Sequence, residues 1–191
     1  MHKGNNKILV CQLDERVEIL KSVDVTIIHN SLSCLNEATS NPYDLIIIDF
    51  SVRARRGLLI EIVELCRCLK VNPLTNKKPL FVSIDRWHRE IAVKMKETGV
   101  DYMDLRPVPN RIDPQYISNL ISDSGISVHI TRILSQLCPF MNYELLDNSY
   151  DFLTCGAWHN RMVLGGKRLH ELCETEDHLH CEYFLNPVSE S

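Results

Sequence analysis

The chain has 191 residues, 45% of them apolar, and a formal net charge of −4. At ~100–200 residues per domain this length allows one large domain, or one domain with a small companion. Residues 1–127 carry 17 Lys/Arg against 16 Asp/Glu, whereas residues 128–191 carry 4 against 9. So acidic a C-terminal segment argues against nucleic acid as a direct partner, because phosphate binding needs a positive surface. No run approaches the ~18 apolar residues of a membrane span, and the opening MHKGNNKILVCQLDE lacks the apolar stretch of a signal peptide. The expectation is a cytoplasmic protein without a membrane partner, whose eight cysteines are thiols or metal ligands rather than a disulfide framework.

Lys7 to Cys11 reads as a buried opening strand, Glu15 to Lys21 as a brief helix with Val17, Ile19 and Leu20 inward, and Val25 to Ile28 as a second strand. Asn30 caps a helical segment carrying Leu32, Leu35 and Ala38, which Asn41-Pro42 terminates. The stretch YDLIIIDF, Tyr43 to Phe50, follows as a third strand, apolar without alternation as befits one covered on both faces. Gly57 opens a helix to Lys70 with a broad apolar face. A fourth strand is expected at Pro79 to Ile84, a helix at Arg86 to Thr98 ended by Gly99, a fifth strand at Tyr102 to Leu105 and a helix around Tyr116 to Ile121. Strands alternating with helices predict a doubly wound, five-stranded parallel sheet of order 2-1-3-4-5, because right-handed crossovers fit that alternation.

Ser122 to Ile126 is expected to mark a boundary, with an α/β domain at residues 1–126 and a small α+β, cysteine-rich module at 127–191. The module should contain a helix at Val128 to Leu137, strand-like pieces at Tyr143 to Leu146 and Phe152 to Cys155, a Gly165-Gly166 turn and a helix at Lys167 to Cys173. Within the α/β part, Asp49 ends the third strand, in the crevice where open α/β sheets place their chemistry. It is a candidate functional carboxylate; the structural alternative is a turn former or helix cap.

Element order and spacing resemble the receiver domain of bacterial response regulators over roughly residues 5–125. The resemblance rests on Asp49 at the end of the third strand with Gly57 eight positions on, on Ser83 near the end of the fourth strand, and on Gly99, Asp101, Tyr102, Arg106 and Pro107 in GVDYMDLRPV. It implies a flavodoxin-like fold, a phosphoacceptor position at Asp49, and a signalling partner such as a histidine kinase or a second copy of the chain. It also implies a Mg²⁺ held by an acidic pair after the first strand, and here Gln12 and Leu13 occupy those places, with Asp14 and Glu15 just beyond. Arg106 stands where the family has Lys, keeping charge but not geometry. In the loop SVRARRG, Arg53, Arg55 and Arg56 can reach the same crevice, where a guanidinium can pair with Asp49 in place of a metal; otherwise they solvate a loop or face a partner.

Cys138, Cys155, Cys173 and Cys181 are separated by 16, 17 and 7 residues and supply the ligand count of a [4Fe–4S] cluster or a structural zinc. Without a CxxC knuckle, buried free thiols remain the bland alternative. The surrounding CPFMNY, LTCGAW and RLHELCETEDHLHCEYF resemble a small four-cysteine module appended to bacterial signalling proteins. His159, His170, His178 and His180 lie in the same region, each able to replace one Cys or to be merely polar. Cys66 and Cys68 sit on one helix at a spacing that points them apart. No Ser/His/Asp set, carboxylate pair or phosphate-cradling Gly loop is evident, so the expectation is a non-enzymatic signalling protein joining a receiver-like domain to a metal-binding module that senses redox state. The alternatives are a working phosphoacceptor at Asp49, with Ser83 and Arg106 supporting the phosphoryl group, and a zinc-stapled adaptor.

Overall fold

Strand residues without a polar face need cover on both sides, and the chain supplies it. In the computed structural model every residue of β1 (Ile8–Gln12), β4 (Leu45–Phe50) and β5 (Leu80–Ile84) is buried. The structure describes residues 7–13, 18–20, 24–52, 56–106, 111–123, 126–145, 151–158 and 162–188. Along these run β1, β2 (Glu18–Ile19), β3 (Val25–Ile28), α1 (Ser31–Ser40), β4, α2 (Arg56–Val71), β5, α3 (Arg89–Glu97), β6 (Tyr102–Leu105), β7 (Arg111–Ile112), α4 (Pro114–Asp123) and α5 (Ile130–Gln136). β1, β3, β4, β5 and β6 form one parallel sheet of order β3-β1-β4-β5-β6, the expected arrangement of the five main strands.

Local signals end the elements as their chemistry demands. Asn30 caps α1 by accepting from the Ser33 amide at 2.7 Å, and the His88 ring caps α3 by accepting from Ile91 N–H. After α3 the chain reverses through Gly99 at φ +89°, a conformation costly for any residue with a Cβ. One face of the sheet packs Leu9, Ile46, Ile48 and Val82 against α1, α2, α3 and α5; the other packs Ile8, Val10, Ile47 and Phe81 with Ile19, Ile112 and Ile117.

Two expectations are corrected here. Glu18–Ile19, expected within a helix from Glu15 to Lys21, is extended and pairs in parallel with Arg111–Ile112; the remaining residues of that segment, apart from Leu20, lie outside the described ones. The reason is local ambiguity: Val17 and Ile19 fit a period of 2 while Val17 and Leu20 fit a helical spacing of three, and the pairing buries Ile19 beside Ile112 while satisfying the Leu20 amide on the Ile112 carbonyl. Secondly, Val128 to Leu137, expected to open the second domain, packs on the sheet. Ile130, Ile133 and Leu137 join its core, and the Met103 amide bonds the Val128 carbonyl at 2.9 Å. The chain leaves the sheet after Leu137, because the apolar stripe of α5 has the sheet and α3 to bury against.

Beyond it, β8 (Met141–Leu145), β9 (Asp151–Cys155) and β10 (Val163–Leu164) form an antiparallel sheet of order β10-β9-β8. α6 (Gly166–Arg168) runs into a π-helical turn, Leu169–Cys173, followed by a 3₁₀ turn, Glu176–His180, and α7 (Glu182–Leu185). This segment is tied to the parallel sheet through β8. Tyr143 stacks on His88 with ring centroids 3.5 Å apart, its hydroxyl accepts from Arg89 N–H at 3.1 Å, and the Arg89 guanidinium donates to the Leu134 carbonyl at 3.0 Å.

Candidate functional site

Asp49 is next to last in β4, and its register partners are Gln12 on β1 and Ser83 on β5. The parallel ladder thus lines up three polar residues at the carboxyl ends of the central strands. All are buried: Asp49 is 0% exposed, Ser83 1% and Gln12 5%. A buried carboxylate must be paired, and the partner comes from beyond β6. Arg106 is anchored by its amide on the Ile84 carbonyl at 2.9 Å. Its Nε donates to Asp49 Oδ1 at 2.7 Å and its Nη2 to Oδ2 at 3.0 Å. The Arg106 side chain is itself only 4% exposed. This two-point, charge-assisted contact uses the planar fork that lysine lacks.

A second carboxylate, which sequence reasoning passed over, closes the mouth. Asp85 accepts from Ser51 Oγ at 2.7 Å and from the Val52 amide at 2.8 Å, pinning the loop that leaves Asp49. Its signal was available, since Asp85 directly follows a buried strand as Asp49 nearly ends one. Asp104 pairs with Ser83 in register; burial raises its carboxyl above the usual range, partly offset by the bond it accepts from the Leu105 amide at 2.7 Å.

Of the residues predicted for this pocket, Gln12, Ser83 and Arg106 do gather at Asp49. Asp14 and Arg53, with Arg55 and Pro107, lie outside the described residues. The described residues do not fit Mg²⁺: both Asp49 oxygens face a guanidinium, an amide stands at Gln12, Leu13 packs on the core, and Asp85 is engaged by the loop. An octahedral oxygen cage is not assembled from them.

The C-terminal cysteines converge. Cys138 follows α5, Cys155 ends β9, Cys173 ends the π-helical turn and Cys181 follows the 3₁₀ turn, yet all four line one cavity. The space they enclose is small, about 10 Å³ for the centre of a water-sized sphere, and it opens in part to solvent. The Cys138 amide bonds the Cys173 carbonyl at 2.8 Å, locking two of the thiol-bearing segments together. Burial, then the neighbouring cysteines, pushes the Cys173 thiol up to about 12. Burial also raises Cys138, opposed by the Phe140 amide directed at its sulfur. Among the described residues no three Cys, His, Asp or Glu side chains are placed to hold a single metal ion.

Of the histidines, His178 is buried on the cavity wall, donating Nδ1–H to the Thr175 carbonyl at 2.7 Å, whereas His170 and His180 are exposed and His159 lies outside the described residues. Cys66 is buried and Cys68 exposed, as their helical spacing predicts. Unforeseen was a second thiol group. Cys11, Cys34 and Cys66 meet inside the sheet's core, where a bond to Cys34 and burial raise the Cys11 thiol, and burial above all raises Cys66; such thiols are chemically quiet.

No protein-family model and no curated protein matches the chain. Among solved structures it is similar to the solution structure of a response regulator protein from Burkholderia multivorans, with 16% identity and a TM-score of 0.42 over 62% of this chain and 94% of that one. It is similar too to the crystal structure of the response regulator DrrB from Thermotoga maritima, an OmpR/PhoB homolog, with 15% identity and a TM-score of 0.43 over 78% of this chain and 59% of that one. The fold itself, a five-stranded parallel sheet flanked by helices with a small β/α region after it, rests on strand order and register.

Proposed function

We propose that this chain is a cytoplasmic, non-enzymatic signal-transduction protein, built on a receiver-like domain that works through protein contacts and without a phosphoryl switch. The observation that carries this reading is the Asp49–Arg106 contact: a carboxylate with no exposed surface, both oxygens held by one guanidinium. Accepting a phosphoryl group requires a free carboxylate oxygen in line with the phosphorus and a cation on the transferred group's oxygens. At Asp49 the guanidinium takes the cation's place and blocks the oxygen's approach. The pocket then serves to hold one arrangement of the strand ends rather than to react.

The route by which such a domain communicates is its contact with the C-terminal segment. Ser83, Ile84 and Asp85 lead directly into the Trp87–Arg89 turn, where Tyr143 of β8 docks, while Asp85 also holds the loop after Asp49. A change at the cysteine-lined cavity therefore has a short packed path to the start of α3, by which it would reach a partner signalling protein or a second copy of the chain. No helix among the described residues is long and apolar enough to cross a membrane.

The test is incubation with acetyl phosphate and Mg²⁺, followed by intact-mass spectrometry of the native protein and Asp49→Asn. No mass gain is expected in either. A gain that disappears in Asp49→Asn overturns the reading and establishes the phosphoacceptor instead, with a histidine kinase as donor and Ser83 and Arg106 on the phosphoryl group.

A further inference from the structure

We propose that the cavity ringed by Cys138, Cys155, Cys173 and Cys181 is a [4Fe–4S] cluster site, each thiolate taking one iron. The inference stands on the cavity and is independent of whether Asp49 accepts phosphate.

Four thiols from four separate segments face one space, although 16, 17 and 7 residues separate them in sequence. The contrast within the same molecule is informative. Cys11, Cys34 and Cys66 serve as small apolar side chains inside a close-packed core, the ordinary use of a free thiol. The C-terminal four surround a cavity instead.

The energetics of the segment agree. Among the described residues its core has seven buried apolar side chains, of which three are Cys138, Cys155 and Cys173; Met141, Leu153, Ala157 and Leu164 complete it, with half-buried side chains such as Phe140 and Phe184 packed against it, so thiols fill a large share of a thin core. Metal–thiolate bonds tying the four segments would supply what burial does not.

The choice of cluster over zinc follows from shape. A single zinc draws its sulfurs to about 2.3 Å from one point. No three of the described side chains are placed to hold a single ion, whereas all four cysteines line one cavity, and a cubane offers its irons outward at four corners, one per thiolate. The walls suit an anionic cluster: Arg168 is among the lining residues, its guanidinium over the Tyr183 ring, the Phe140 amide is aimed at the Cys138 sulfur, and Phe184 and Tyr183 limit water.

Loading by ligand exchange balances without a redox step. Starting from a preformed [4Fe–4S] cluster carrying small alkanethiolate ligands, each protein thiol forms one Fe–S bond. Each displaced alkanethiolate leaves with that thiol's proton, and the irons keep their oxidation states.

The experiment uses the full chain, incubated anaerobically with a 2-mercaptoethanol-ligated [4Fe–4S] cluster and then desalted. About four iron and four sulfide per chain are expected to remain bound. Cys173→Ser should lower retained iron at least about ten-fold. Because a buried substitution can disturb folding, half-exposed Cys181→Ser is the second variant, checked by far-ultraviolet circular dichroism and expected to lose iron with its fold intact. Cys68→Ser, on the exposed face of α2, should retain the native amount, as should Asp49→Asn, which separates this result from any outcome at the receiver-like pocket. Iron below about one per chain, retention indifferent to Cys173 and Cys181, or a protein isolated with one tightly held zinc per chain that excludes the cluster would each overturn the proposal.

Discussion

Replacing Arg106 with Met keeps the length of the side chain and removes its charge, leaving the Asp49 carboxylate buried without the guanidinium. Asp49 is 0% exposed, and the two bonds that Arg106 gives it measure 2.7 and 3.0 Å. Removing one member of a buried pair costs about 3–5 kcal/mol, most of it the penalty on the charge left behind. In a chain of this size each kcal/mol lowers the melting temperature by about 2–4 °C, so Arg106→Met should melt about 6–20 °C below the native protein. Arg106→Lys, which keeps the charge but offers no planar fork, should fall between the two. The companion Asp49→Asn should also destabilise, because it strands the guanidinium instead. Combining Asp49→Asn with Arg106→Met removes both charges and should cost about 1–3 kcal/mol less than the sum of the single changes. Thermal and urea unfolding of the native protein, the two single variants and the double variant would measure this cycle. A cost below about 1 kcal/mol for Arg106→Met, or strict additivity in the double variant, would refute the view that this pair organises the strand ends.

Other consequences follow from the same geometry. Asp85→Ala removes two bonds from the Ser51–Val52 loop, and the Val52 amide should exchange with solvent about 5–30-fold faster by mass-resolved hydrogen exchange, with the distant Ile8–Gln12 amides unchanged. Asp104 binds its proton more tightly in the folded than in the unfolded chain, so its contribution is most favourable at acid pH and is lost as pH rises from the ordinary carboxylate pKa through the folded value. Asp104→Asn should therefore stabilise near neutrality, with the advantage vanishing at low pH in paired urea titrations. Tyr143→Phe leaves the Arg89 amide without its hydroxyl acceptor and should cost about 1–3 kcal/mol, while Tyr143→Ala also forfeits the stack on His88 and should cost more. Gly99→Ala, forced to φ +89°, should lose about 1–2 kcal/mol in the same unfolding assay.

Much of the α/β architecture is legible in the residues. Unbroken apolar runs such as Leu45 to Ile48 and Leu80 to Val82 can exist only as strands covered on both faces, and right-handed crossovers leave few orders for five of them. Cap chemistry marked α1 and the end of α3 equally plainly. Where the pattern was short, it failed. Val17 with Ile19 fits a strand and Val17 with Leu20 a helix, and only the pairing of Glu18–Ile19 with Arg111–Ile112 selects the extended form. The stripe of Ile130, Ile133 and Leu137 announced a helix but not its partner; the free surface beside α3 drew it onto the sheet.

The functional residues divide in the same way. That Asp49, Ser83 and Arg106 belong at the carboxyl ends of their strands follows from sequence, because each sits at or just past the close of a predicted strand. That Arg106 and Asp49 join by two bonds, with Asp85 closing the loop beside them, was decided by the lateral stacking of β4, β5 and β6, which brings side chains 57 and 34 positions apart into contact. The four C-terminal cysteines show the limit most clearly. Their number was in the sequence; their meeting around one cavity came from β9, the π-helical turn and the 3₁₀ turn folding back on the end of α5, since spacings of this length carry no geometry until the chain between them is packed.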